Sequence, residues 1–183
     1  MKPRLLADTC SAIKLAVFDN KCFQKGKLTC GDVIIHPLVH KQIRTLSPEK
    51  KTRLNEELKV LSSIRAEPNL TQSGEVFAGI EETVRLVEDN LNIPIGFHDR
   101  RLIATALFHE DMSIVTNDRR TLAPVAASLE VTLFTAEEIV VEAFDDGVLS
   151  KEEILAGLKR WSAIKEEPTK EGSALLRTRG FVI

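Results

Sequence analysis

Four short apolar runs, separated by much longer stretches of helical periodicity, limit what this chain can fold into. They are Leu5-Leu6-Ala7 ending at Asp8, Asp32-Val33-Ile34-Ile35, Ser113-Ile114-Val115-Thr116 and Val131-Thr132-Leu133-Phe134. Each is too short for a helix and suits a buried strand bounded by polar residues. Between them, apolar residues recur at helical spacing: within Ser11–Phe18, at Leu54, Leu58 and Leu61, at Val76, Ile80, Val84 and Val87, and at Leu102, Ile103, Ala106 and Leu107. Parallel strands need a long crossover, usually a helix, so this alternation predicts a parallel sheet covered by helices. The expected fold class is α/β: a helix-rich three-layer α/β/α architecture around a small central parallel sheet.

Local signals place the helix ends. Pro37 suits a first helical turn, where its missing N–H costs nothing, and that helix runs to about Leu46. Ser47-Pro48 predicts a cap and the start of a helix over roughly 48–65, and Pro68 closes that region. Further helices are predicted over 74–91 and 98–110. Thr135 with Glu138, and Ser150 with Glu153, are capping boxes, the second opening a helix through about Trp161. Past Pro168 the tail is polar until Phe181-Val182-Ile183, which leaves both a mobile and a docked tail open. No repeat or flexible linker divides the chain, so residues 141–183 are read as a helical extension packed on the same domain.

The 183 residues, 43% apolar and 28% charged, can bury a core without disulfides or metals. No apolar run approaches the ~20 residues of a membrane helix. The opening segment Met1–Asp8 lacks the apolar stretch of a secretory leader, so the expectation is a cytoplasmic protein with no membrane partner. Cys10, Cys22 and Cys30 are read as reduced thiols. A zinc site from Cys22, Cys30, His36 and His40 is disfavoured by the long gap between the cysteines.

The net charge of −2 conceals an uneven spread. Residues 1–65 hold 13 basic and 6 acidic side chains, a net of +7, and residues 66–183 hold 12 and 21, a net of −9. A basic first third can attract phosphates. Eight Phe, one Trp and no Tyr argue against a stacking platform for single strands, so any bound RNA is expected to be held by its backbone.

In an open parallel sheet the functional crevice lies at the carboxyl ends of the strands. Asp8 and Asp118 fall at or just past two such ends, and Asp99 begins a helix. Crowded carboxylates repel one another unless a cation joins them. Oxygen ligands favour Mg²⁺ or Mn²⁺, which can orient water against a phosphodiester. Each aspartate also suits a plain helix cap.

The residues around these acids sharpen the choice. Leu5-Leu6-Ala7-Asp8-Thr9 resembles the opening strand of a PIN domain. Asp99-Arg100-Arg101-Leu102-Ile103-Ala104-Thr105-Ala106-Leu107 resembles that family's Asp followed by a small-residue run, and Ile114-Val115-Thr116-Asn117-Asp118 resembles its V-T-x-D strand end. The resemblance reaches from residue 4 to about 140, which makes 1–140 a PIN-like domain of the kind found in VapC-like toxin ribonucleases. It implies a metal-dependent endoribonuclease holding one or two Mg²⁺ or Mn²⁺ ions on Asp8, Asp99 and Asp118, with Thr116 supporting the site. The implied reaction is hydrolysis of RNA to a 5′-phosphate and a 3′-hydroxyl. The implied partners are RNA, a small antitoxin protein and a second copy of the chain.

The match departs from the family at the second acid, where a Glu is usual and Gln42 stands. An amide keeps an acceptor oxygen but loses the charge. His40 and Glu49 are nearby groups that could compensate, and Cys10 stands where the family often has Asn or Ser. A catalytically weakened or inactive module that binds RNA or a protein is therefore the alternative. Arg100 and Arg119 are the candidates for RNA-backbone contact, with Arg101 and Arg120 beside them.

Overall fold

The computed structural model describes residues 2–67, 70 and 74–181. The chain runs β1 (Arg4–Ala7), α1 (Thr9–Ala16), a single 3-10 turn (Lys21–Phe23), β2 (Asp32–Ile35), α2 (Pro37–Thr45), α3 (Pro48–Arg53), α4 (Asn55–Ser63) and α5 (Glu75–Leu91). It continues with α6 (Phe97–Phe108), β3 (Met112–Val115), α7 (Arg119–Ser128), β4 (Leu133–Phe134), α8 (Ala136–Asp145), α9 (Lys151–Ala163) and α10 (Lys170–Thr178). The four strands form one wholly parallel sheet in the order β2-β1-β3-β4.

Strand alternation divides the core into two. Leu5, Ala7, Val33, Ile35 and Val115 face one cluster with α1, α2, α4, α8, α9 and α10. Leu6, Ile34, Met112 and Ile114 face the other, built from α5, α6 and α7. This is the three-layer α/β/α arrangement expected from the alternating pattern, each strand being apolar on both faces because helices cover both. The chain steps from β1 outward to β2, then returns to place β3 on β1's other side. The sheet's switch point therefore lies between β1 and β3, where ligands bind in such sheets.

Several boundaries differ from expectation, for physical reasons. The helix over 48–65 divides at Leu54, whose φ of −100° and ψ of 15° leave the helical region. Burying Leu54 rewards the break, and the Arg53 carbonyl takes a hydrogen bond from Arg160 Nη2 of α9 at 3.2 Å. The expected strand Val131–Phe134 shrinks to Leu133–Phe134, since only β3 pairs with it. The helix over 98–110 runs from Phe97 to Phe108. Both capping boxes form, at Thr135–Glu138 and Ser150–Glu153.

The tail is docked. It forms α10 against α8, with Leu176 and Phe181 fully buried and the Phe181 ring edge-on to Phe144 at 5.1 Å. Pro68, Val182 and Ile183 lie outside the described residues. Among the described residues no helix is long and apolar enough to cross a membrane.

Candidate active site

Asp8 follows the last residue of β1, and its backbone N–H extends the ladder to the Val115 carbonyl at 3.0 Å. Its side chain caps α1, Oδ1 accepting from the Ser11 N–H at 2.6 Å. Across the switch point, Thr116 follows β3 and is fully buried. Its hydroxyl accepts from the Asp118 N–H at 3.1 Å and bonds to the Asp8 carboxyl. One threonine thus ties together the two strand-end acids. Asp118 itself caps α7, its Oδ1 accepting from the Thr121 N–H at 3.3 Å.

Asp99 sits in the first turn of α6 and reaches back to the backbone of Gly96. A Cβ on Gly96 would lie 3.4 Å from Asp99 Oδ2. Burial pushes the Asp99 carboxyl up, and the charges of Asp8 and Asp118 push it further in the same direction. Burial also raises Asp8, against the opposing hydrogen bonds from Thr116 and Ser11 and the charge of Lys14. The fold therefore brings Asp99 within electrostatic reach of both Asp8 and Asp118 at the sheet's carboxyl edge, and the ionised forms of Asp99 and Asp8 are disfavoured there.

All three candidate ligands present oxygen, and the surplus negative charge suits a hard divalent cation. In that respect the donor set fits the Mg²⁺ or Mn²⁺ that the resemblance implies. Two of the carboxylates are also engaged as helix caps. Among the described residues no three His, Cys, Asp or Glu side chains converge closely enough to hold one ion.

Gln42 lies on α2 beside this cluster, its Oε1 accepting the hydroxyl proton of Thr9, the residue after Asp8. Its amide is thereby fixed at the edge of the acids, while His40 and Glu49 make no contact to them among the bonds described. Arg100 meets Glu88 instead of open solvent, through Nε at 2.9 Å and Nη2 at 3.0 Å. Arg101 pairs with Glu81 at 2.9 Å and lies over the Phe77 ring. Arg119 reaches Glu138 and the Leu133 carbonyl. Arg120 is exposed, and lines with Arg119, Asn117, Thr135, Thr169 and Glu171 a cavity of about 510 Å³ on the β4 side of the acids.

Behind Asp8 runs a polar network that the sequence reading missed. Ser11 Oγ donates to Asn117 Oδ1 at 3.1 Å, and Asn117 Nδ2 donates to Glu137 Oε2. Glu137, fully buried, pairs with buried Lys14 at 3.1 Å and also accepts from the Thr169 N–H at 3.2 Å. Lys14 Nζ donates to the Glu167 carbonyl at 2.9 Å and faces the Trp161 ring at 5.1 Å. One signal was available: Lys14 interrupts the apolar run Ser11–Phe18, and a charge there needs a partner. The partner itself, 123 positions away, had no local signature.

The three cysteines are free thiols, and burial pushes Cys22 up to about 12. Compared with known proteins, the chain matches no protein-family model and no curated protein.

Proposed function

We propose that the protein is a metal-dependent endoribonuclease with its site at Asp8, Asp99 and Asp118. The observation that carries this reading is the placing of Asp99 within electrostatic reach of both strand-end acids at the β1–β3 switch point, with Thr116 linking Asp8 and Asp118. Two carboxyls whose ionised forms are disfavoured create a demand for a cation that helix capping alone would not need. The PIN-like pattern around the same three residues supports phosphodiester hydrolysis as the chemistry.

When bound, Mg²⁺ or Mn²⁺ would supply charge neutralisation and an activated water at the phosphate. Asp8, Asp99 and Asp118 are its candidate oxygen donors, and to hold one ion together they would have to draw closer than they stand. Thr116 fixes the Asp8 carboxyl and, through the Asp118 backbone, the start of α7. Gln42 offers a neutral oxygen where a fourth carboxylate would strengthen the field. Arg120 borders the cavity next to Asp118 and can take a phosphate of the RNA backbone. In the reaction, water's oxygen bonds to phosphorus and the bond to O3′ breaks, leaving a 3′-hydroxyl and a 5′-phosphate.

The test is cleavage of labelled single-stranded RNA with Mn²⁺. Activity is expected in the wild type and absent in Asp8→Asn and Asp99→Asn, with circular dichroism unchanged. Gln42→Glu is expected to raise both Mn²⁺ affinity by calorimetry and the cleavage rate.

Gln42 itself favours a second reading, a PIN-like module that binds RNA or protein without cutting it. That reading prevails if the wild type neither binds Mn²⁺ nor cleaves RNA and Gln42→Glu restores neither.

A further inference from the structure

On the opposite side of the acids from Arg120, the carboxyl end of β2 opens into a second cavity. It measures about 270 Å³ and is lined by His36, Pro37, Leu38, Lys41, Phe97 and Arg101. This is slightly under the ~300 Å³ lower end of sites that take drug-sized ligands, so it suits a single ring system. Phe97 is 58% exposed, although it opens α6 and stands two residues from Asp99. It packs edge-on against His98 at 5.5 Å, so its ring has a defined place.

The walls differ in character. Pro37, Leu38 and Phe97 are apolar, and Lys41 and Arg101 add positive charge. Arg101 is held in place by Glu81 and by its stack over Phe77 at 4.5 Å. His36 is buried, and its Nδ1 accepts from the Leu38 N–H at 3.0 Å while its Nε2 faces Thr105 Oγ1 at 3.5 Å. Both ring nitrogens are thus turned to the protein. An aromatic face next to the Lys41 ammonium, which has no ion pair to an acid among the described residues, matches a flat ring carried on an anionic chain. Every nucleotide has that combination, a π-face carried on a phosphate chain.

We propose that the Phe97 cavity receives one unstacked nucleobase of a single-stranded RNA whose backbone runs along the sheet's carboxyl edge past Asp99 and Asp8. This rests on the ribonuclease reading and specifies how its substrate is held. Strand order places the residues in sequence along that edge: His36 after β2, Asp8 after β1, Asp118 beyond β3 and Thr135 after β4. The base pocket and the Arg120 cavity flank the acids from the two sides. Recognition by stacking tolerates any base, because every base has a π-face. The scarcity of aromatics in the composition thus hides one ring placed where a base can use it.

Binding of a short fluorescein-labelled oligoadenylate is measured by anisotropy in EDTA, where no metal-dependent cleavage occurs. Phe97→Ala is expected to weaken binding roughly tenfold, the order of one stacked base. Phe97→Trp is expected to keep the affinity. A ribose-phosphate oligomer lacking bases should bind both proteins equally. The inference is overturned if Phe97→Ala binds oligoadenylate as the wild type does, or weakens the base-free oligomer just as much. It is also overturned if the variant changes only the molecular mass by light scattering, which would make Phe97 a contact between copies. In those cases the ribonuclease reading stands as long as the wild type binds RNA. Failure of the wild type to bind any RNA overturns both.

Discussion

Asp99 is the residue at which fold and site pull in opposite directions. Its carboxyl is raised first by burial and then by Asp8 and Asp118. A carboxyl whose folded pKa exceeds its unfolded value favours the fold fully only at low pH, and that contribution is lost as pH rises through the folded pKa. At neutral pH, ionised Asp99 therefore works against folding. Asn at this position keeps an oxygen for the Gly96 backbone but removes the charge. Asp99→Asn is expected to raise the melting temperature in EDTA at pH 7, because it removes a charge that the fold disfavours. The gain should vanish as pH falls below the ordinary carboxyl value of 3.8, where wild type and variant are both neutral. Mn²⁺ should stabilise the wild type and leave the variant unmoved. Scanning calorimetry with and without metal checks all three, and a destabilised variant at pH 7 would remove the electrostatic argument for the site.

Among the elements, α10 shows what the sequence could and could not reveal. The strands and most helices were legible because their apolar periods are local, and the two strand-end acids were legible because β1 and β3 stop just before them. The tail read as polar because α10 owes its place to contacts made elsewhere in the chain. Gly172 lets it approach α8 so closely that an added Cβ would sit 2.6 Å from Glu137 Cγ. Thr169, its cap, donates its N–H to the same Glu137 that pairs with Lys14. The same holds for the break at Leu54, fixed by Arg160 from α9, and for Phe97, whose exposure no local pattern encodes. Gly172→Ala is therefore expected to cost about 1–3 kcal/mol, the usual range for overpacking. Gly79→Ala, on α5 with nothing within 4 Å of the new methyl, is expected to gain up to ~1 kcal/mol from helix propensity. Urea titrations of the two variants should move in opposite directions. Equal shifts would mean that α10 is not seated through Gly172.

Across the whole molecule, the +7 first third and the −9 remainder partly answer each other. Arg4 meets Asp111 at 2.6 Å, Lys14 meets Glu137 at 3.1 Å and Lys25 meets Glu67 at 2.8 Å, while Lys21 pairs with Glu153. Much of the asymmetry is therefore complementarity between early and late segments of one fold, and says nothing about an external anion. Part of what is left over lies on the flank next to the carboxyl edge. Lys41 and Arg44 on α2, and Lys50 and Lys51 on α3, have no ion pair to an acid among the described residues, and Lys41 borders the Phe97 cavity. If RNA lies along the carboxyl edge, these cations neutralise its phosphates and release counterions. Each phosphate contact on a single strand steepens the fall of log K with log salt by about 0.7. Lys41→Ala combined with Lys50→Ala should flatten that slope by about 1.4 if both contact phosphate. Lys25→Ala should leave it unchanged, because Lys25 is already committed to Glu67. Anisotropy titrations of oligoadenylate across a salt series measure the slope directly. An unchanged slope in the double variant would move the RNA path away from the α2–α3 flank, and a flattened slope in Lys25→Ala would mean that the paired cations also serve the ligand.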